Sequence, residues 1–215
     1  MKGLLITFEG TEGSGKTTQI SFLAERLRSM GYSVRTLREP GGTPIGEEIR
    51  HTLKHSDSNH AMTAEAELLL MNASRAQLVR EVIRPALTAG EIVLCDRYYD
   101  STTAYQGYGR QLDLQMVKNI IDVAVGDTRP DLTLLFIVPH EVSEARRLAR
   151  QPSLPLRYKR DRIEEADQSF FTRVAEGYQA IAAAEPQRVR QFDATGEVAA
   201  TQAAIWQLVQ PLVAR

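Results

Sequence analysis

The sequence predicts an α/β fold with a five-stranded parallel sheet flanked by helices. Three observations carry that prediction. Short apolar, β-branched runs alternate along the chain with longer helical patterns, as in strand–helix–strand units. The runs are almost continuously apolar, as expected of strands covered by helices on both faces. A glycine-rich turn separates the first run from the first helical pattern, so that strand, loop and helix stand in register.

The elements follow in order. "MKGLLITFEG" opens like a secretory leader, yet Glu9 interrupts the apolar run too early and no small-residue cleavage site follows. A first strand over Leu4–Glu9 is the reading. Ile20, Leu23, Leu27 and Met30 form a helical stripe, and Gly31 stands where a left-handed C-cap falls. Further strands are expected over Ser33–Leu37, Ile92–Cys95, Leu132–Val138 and Val189–Phe192. A long helix runs from Ala64 to about Ile83, with Pro85 marking a break or a restart. Helices are also expected over Leu114–Val125, Glu141–Arg150, Gln168–Glu185 and Val198–Val213. Between Arg150 and Glu164 the pattern fails, and "RQPSLPLRYKRDRIE", with Pro152 and Pro155, reads as a basic loop. No internal repeat or low-complexity tract appears, and 215 residues are most simply one domain.

Composition narrows the class. With 43% apolar and 25% charged residues the chain falls in the ordinary globular range. A net charge of -1 supplies no global field for nucleic acid, so any basic function must be local. The single cysteine, Cys95, excludes an internal disulfide and fits a reducing compartment; it reads as a small buried hydrophobe. The apolar run "LTLLFIV" is far short of the ~20 residues that cross a bilayer. A cytoplasmic protein without membrane or nucleic-acid partners is expected.

"GTEGSGKT" fits G-x-x-x-x-G-K-[ST] at Gly10, Gly15, Lys16 and Thr17. Glycines let the backbone wrap, so that the N–H groups of Gly10, Thr11, Glu12, Gly13, Ser14, Gly15, Lys16, Thr17 and Thr18 can surround ATP phosphates at a helix N-terminus. Lys16 would bridge the β- and γ-phosphates, and the Thr17 hydroxyl would ligate Mg2+. A chance glycine-rich turn is the bland alternative. With this loop the expected architecture becomes a three-layer P-loop NTPase-type fold. No guanine-reading Asn-Lys-x-Asp follows a strand, which argues against a GTPase. The third strand ends "IVLCDRYYD" and not in the Asp-Glu of mechanical ATPases. Asp96 lies where a Mg2+-organising carboxylate belongs, and Arg97 suits clamping a second phosphate-bearing substrate. His51, His55 and His60 lie in a polar stretch that reads as a solvated loop, with no metal-ligand spacing.

"FEGTEGSGKTT", "REPGGTPIGEEIR", "LLLMNASRAQ", "CDRYYDSTTAYQGYGR" and "RDRIEEADQSFF" occur in this order. Together they resemble bacterial thymidylate kinases of the nucleoside-monophosphate kinase family, from Leu4 to about Asp193. The resemblance implies transfer of the γ-phosphoryl group of ATP to dTMP, with Mg2+, in a homodimer that packs long helices. An acceptor that is already an oxyanion needs alignment and charge neutralisation more than a general base.

The resemblance also implies roles. Glu12, an acid inside an anion-binding loop, would accept the sugar 3′-hydroxyl of dTMP with its side chain turned from the ATP phosphates. Otherwise it is a solvent-facing loop residue. Arg38, followed by Gly41 and Gly42, would approach the acceptor phosphate, or the segment is only a Gly-Gly turn. Arg75 would bond a thymine carbonyl. Met71, one turn before it, stands where many relatives stack a Phe on the base, which leaves the strictness for thymine open. Arg97 would hold the dTMP phosphate and Ser101 would face the substrate. Tyr105 would crowd the ribose 2′ position and Gln106 would approach the base; an ordinary polar helix with an aromatic core contact is the alternative. Ala194 and Thr195, in "FDATGE", resemble the adenine-edge loop.

A lid over ATP is implied at about residues 146–164, where Arg146, Arg147, Arg150, Arg157, Lys159, Arg160 and Arg162 face one acid, Asp161. Gly13 occupies the place where some relatives carry a phosphate-loop arginine, so the catalytic cation must come from the lid. Arg150 aligns best for it, and Arg157 or Arg160 are alternatives in a lid longer than usual. Asp161 and Glu164 match a pair near the acceptor or metal. Two other functions stay open: another deoxypyrimidine monophosphate kinase, and a P-loop module that binds nucleotide without phosphoryl transfer.

Overall fold

The computed structural model describes residues 3–56, 58–150, 162–163 and 165–214; of His140, Arg147 and Arg150 it describes the backbone. Five strands form one parallel sheet: β1 (Leu4–Gly10), β2 (Val34–Arg38), β3 (Ile92–Asp96), β4 (Leu132–Ile137) and β5 (Val189–Asp193). Their spatial order is β2-β3-β1-β4-β5, which puts β1 in the middle. Phe8 of β1 pairs with Asp96 of β3 and Leu134 of β4, so the carboxyl ends of the central strands open on one side of the sheet.

Helices α1 (Lys16–Ser29) and α9 (Val198–Val213) cover one face. Alternation along β1 sends Ile6 and Phe8 to that face, where they meet Leu23, Leu27, Ile205 and Val209. Leu5 points the other way, into a core with Leu68, Leu78, Val93, Cys95, Ile121 and Val125. That core is built by α3 (Ala64–Leu78), α4 (Arg84–Thr88) and α6 (Leu114–Val125). A third cluster joins Tyr105 and Leu135 to Phe170, Val174 and Tyr178 of α8 (Gln168–Ala184). Helix α7 (His140–Arg150) follows β4.

The expected strands and helices agree with these to within a residue or two, apart from the start of the first helix and the end of the long one, which leaves α geometry after Leu78. Gly31, at φ 89, takes the left-handed conformation expected of it. Pro85 marks a restart: a π-helical turn, Val79–Ile83, ends α3, and α4 begins one residue before the proline. There the missing N–H costs no helical bond.

Two helical segments fall outside the expected set. Helix α2 (Pro44–Lys54) begins at Thr43, whose hydroxyl accepts the Gly46 N–H at 3.0 Å, with Pro44 at its first position. His51 therefore lies in a helix and His55 caps it, while His60 sits in a 3-10 turn, Asn59–Ala61; the loop reading of this stretch is corrected, and all three histidines are solvent-exposed as expected. The second segment is α5 (Tyr99–Thr102), which continues as a π-helix over Thr103–Gly109. Its residues do not keep the 3.6 period, which is why hydrophobic spacing does not announce it. Cys95 is fully buried, and burial pushes its thiol well up, as befits a core residue.

Candidate active site

A cavity of about 660 Å³ opens at the carboxyl ends of β1 and β3. The β1–α1 turn forms its floor. Gly10, Gly13 and Gly15 all have positive φ, at 129, 75 and 94 degrees, which wraps the turn around its own centre. Gly15 caps α1 without a side chain, so no carboxylate or hydroxyl competes for the first-turn N–H groups. Lys16 is buried and donates to the carbonyls of Gly10 (3.1 Å) and Thr11 (2.8 Å). Burial, reinforced by the nearby Arg97 charge, lowers its ammonium from the usual 10.5 to about 7; Asp96, Glu9 and Glu12 oppose that shift.

The neighbouring strand end supplies the facing wall. The Thr17 hydroxyl donates to Asp96 Oδ2 at 3.0 Å, joining residues 79 positions apart. Two hard oxygen donors this close fit Mg2+, which takes one or two protein oxygens and fills its octahedron with phosphate and water. Arg97 has φ 68, unusual for a non-glycine residue, and its N–H donates to Phe8 O at 2.9 Å. Its guanidinium lies over the Tyr105 ring, 5.1 Å from the centroid, and Nη1 donates to Ser101 Oγ (3.1 Å) and Tyr178 Oη (3.4 Å).

Most of the residues singled out from sequence line this cavity: Thr11 through Thr18, Arg38, Met71, Arg75, Asp96, Arg97, Ser101, Tyr105, Gln106 and Ala194. Gly10 and Thr195 do not. Gly10 lies beneath the loop against the Phe136 carbonyl, and Thr195 turns its hydroxyl to Asp193 Oδ1 at 2.6 Å. Arg38 reaches the cavity half exposed, tied to Glu47 Oε2 at 2.9 Å and Pro40 O at 3.1 Å. Gln106 is buried and donates to Glu67 Oε1 at 2.8 Å. Arg157, Arg160, Asp161 and Glu164 lie outside the described residues, as does the side chain of Arg150.

Arg75 lines the cavity from a buried position. It is 2% exposed and makes four hydrogen bonds to protein acceptors besides an ion pair with Glu39. Nε and Nη2 meet Glu39 Oε2 at 2.8 and 2.7 Å, and Nη2 also meets Tyr98 O at 3.1 Å. Nη1 meets Asn72 Oδ1 and Thr102 Oγ1, both at 2.9 Å. Four of its five N–H groups are thus engaged by the protein.

Arg146 of the expected basic lid and three residues that the motifs did not single out complete the site. Arg146 Nη1 donates to Ala194 O at 2.8 Å, fastening α7 to the loop after β5. Ser143, one turn earlier, donates through its hydroxyl to Glu12 O. Glu9 and Tyr178 stand behind Arg97, hydrogen bonded at 2.9 Å. A carboxylate inside an otherwise apolar strand was the one signal for Glu9. Tyr178 falls on the apolar face of α8 and carries none.

A central phosphate loop and an arginine-bearing wall across one cavity define a P-loop phosphotransferase of the nucleoside-monophosphate kinase type. Comparison with known proteins gives the particular family. Residues 8–205 match the family model described as thymidylate kinase. The chain is 50% identical over 201 residues to the thymidylate kinase of Syntrophotalea carbinolica, covering 94% of this chain and 92% of that protein. It is 47% identical over 215 residues to that of Pseudomonas fluorescens, covering 100% and 99%. The crystal structure of thymidylate kinase from Ehrlichia chaffeensis matches with a TM-score of 0.78 at 31% identity, over 98% of this chain and 99% of the other. The chain belongs to the thymidylate kinase family. Among the described residues no helix is long and apolar enough to cross a membrane.

Proposed function

We propose that this chain transfers the γ-phosphoryl group of ATP to the 5′-phosphate of dTMP. An acceptor phosphate oxygen bonds to the γ-phosphorus as the bond to the β–γ bridging oxygen breaks, giving ADP and dTDP. The observation that carries the reading is the shared cavity: Lys16 and Arg97 line the same space, close enough for one charge to depress the other's protonation. Two cations forced together in a buried cleft await anions on both sides. The cavity volume suits a ligand of nucleotide size.

The loop from Gly10 to Thr18 holds the triphosphate, with Lys16 moving from the loop carbonyls to the β- and γ-phosphates. Mg2+ held at Thr17 and Asp96 would neutralise developing charge on the phosphate oxygens. Arg97 and Arg38 hold the acceptor phosphate in line, and Glu12 takes the sugar 3′-hydroxyl. Met71, Arg75 and Gln106 meet the thymine, Tyr105 closes the 2′ side, and Ala194 and Thr195 flank the adenine. The catalytic lid cation comes from Arg150, Arg157 or Arg160. We place the enzyme in the cytoplasm as a single kinase domain, active as a homodimer through α3, where Leu69 is 56% exposed.

A coupled assay of ADP release from ATP with dTMP, dUMP or dCMP tests the reading. Turnover confined to, or greatest with, dTMP supports it. Equal turnover of the three removes the thymine assignment, and no ADP above background with any of them removes the kinase. Light scattering of the purified chain tests the dimer.

A further inference from the structure

Alternation along β1 turns Glu9 to the face opposite Phe8, under the wall that carries Arg97. Its side chain is fully buried. Oε1 accepts the Tyr98 N–H at 2.7 Å, and Oε2 accepts Ser101 Oγ–H at 2.5 Å and Tyr178 Oη–H at 2.9 Å. A hydroxyl has one proton to give. With both protons directed to Glu9, both oxygens turn lone pairs toward Arg97 Nη1, which can only donate. While Glu9 is ionised the network runs from guanidinium to hydroxyls and from hydroxyls to carboxylate, the two hydroxyl oxygens also lying 3.1 Å apart.

We propose that Glu9 is a positioning residue for the acceptor phosphate: acting through Ser101 and Tyr178, it holds Arg97 over Tyr105 with the guanidinium facing the cavity. The inference rests on the acceptor-site reading of Arg97. Interposed hydroxyls serve a purpose that a direct ion pair would defeat. A carboxylate clasping the guanidinium in bidentate fashion would occupy the fork that suits a phosphate. Here Nη1 alone is tied to the hydroxyls, and the carboxylate charge is kept one bond away. Asp100 stands beside this group, yet a two-pronged contact with Arg188 Nη1 (2.7 Å) and Nη2 (2.9 Å) engages it on the far side. Glu9 is therefore the acid that hydrogen bonds join to Arg97, with the Asp96 charge also acting on it.

The test compares wild type, Glu9→Gln, Arg97→Ala and the double variant in the full chain, by steady-state kinetics and by calorimetric binding of dTMP. Glutamine keeps the shape but loses the charge, and its single oxygen can serve either the two hydroxyls or the Tyr98 N–H, leaving the amide N–H2 against the other. Glu9→Gln is expected to raise KM and Kd for dTMP about tenfold, as loss of charge-assisted hydrogen bonds does, with KM for ATP within about twofold. In the Arg97→Ala background the same change should cost less than about threefold, because a residue acting through another has nothing left to position. Tyr178→Phe, which removes one of the two links and keeps the ring, should give a rise of about threefold. Unchanged dTMP affinity in Glu9→Gln, an equal cost with and without Arg97, or equal losses for ATP and dTMP would each overturn the inference. A wild type that turns over no dTMP would overturn the proposed function with it. An active wild type with an unaltered Glu9→Gln would sink the inference alone.

Discussion

Gly13 and Ser143 touch backbone to backbone: a methyl group placed on Gly13 would lie 2.7 Å from the Ser143 carbonyl oxygen. The Ser143 hydroxyl meanwhile donates to the carbonyl of Glu12, so α7 is seated on the phosphate loop. This contact gives a steric reason for glycine at a position where some relatives carry arginine. Any side chain there needs the space that α7 occupies, which agrees with the proposal that the catalytic cation comes from the lid.

Gly13→Ala therefore combines two penalties. An L-residue held at φ 75 costs about 1–2 kcal/mol, and the new methyl must push α7 from the loop. We expect urea unfolding to show a loss of at least that size, and ATP affinity measured by calorimetry to fall about tenfold or more. An alanine variant as stable as wild type would mean that α7 moves freely at this contact.

Legibility in the sequence was uneven, for physical reasons. The β1–loop–α1 unit was readable apart from the helix start, because motif spacing, strand and the stripe of Ile20, Leu23 and Leu27 agree. Helix α2 was missed although Thr43 and Pro44 form a plain start signal, since its histidines made the stretch look solvated. The cavity-facing residues were readable because they lie within short local motifs. Their support was not: Glu9 and Tyr178 are 169 positions apart, and only the packing of α8 on β1 joins them. Likewise the acceptors that hold Arg75, from Asn72, Thr102 and the Tyr98 carbonyl, come together only in the fold.

The Arg75–Glu39 pair is buried at both ends, 2% and 3% exposed. Burial pushes the Glu39 carboxyl up, with Arg75 pulling it down, and Glu39 Oε1 has no described partner. Arg75→Ala leaves that carboxylate uncompensated and should cost about 3–5 kcal/mol in chemical unfolding. The double variant Arg75→Met with Glu39→Gln should recover much of the loss. If the double variant is less stable than Arg75→Ala alone, the penalty lies in packing and not in the stranded charge.

Nucleotide binding should take up a proton. Lys16 titrates near 7 without ligand, because burial and Arg97 disfavour its charged form. Triphosphate oxygens restore the charge, so above pH 7 the complex holds a proton that the free protein lacks. Calorimetry of ATP binding at pH 8 in buffers of different ionisation enthalpy should report uptake approaching one proton, and Lys16→Met should abolish most of it. Equal uptake in the variant would assign the proton elsewhere.

Glu9 and Lys16 should also bend the stability profile in opposite directions on either side of neutrality. Glu9 ordinarily titrates near 4.5 and in the fold near 7, because burial, with Asp100 beside it, outweighs Arg97 and the bonds from Ser101 and Tyr98. Between those values the folded state holds the extra proton, so the Glu9 contribution is present below pH 4.5 and is lost as pH rises through 7. Lys16 falls from 10.5 to about 7, so between those values the unfolded chain holds the extra proton. Stability then rises with pH across that window. Urea unfolding of the nucleotide-free protein at pH 5, 7 and 9 separates the two. Relative to wild type, Glu9→Gln should gain stability from pH 5 to 7, and Lys16→Met should lose it from pH 7 to 9. Parallel profiles for wild type and Glu9→Gln would mean that the buried carboxyl keeps its ordinary titration, through solvent or counter-charge reaching it behind Arg97.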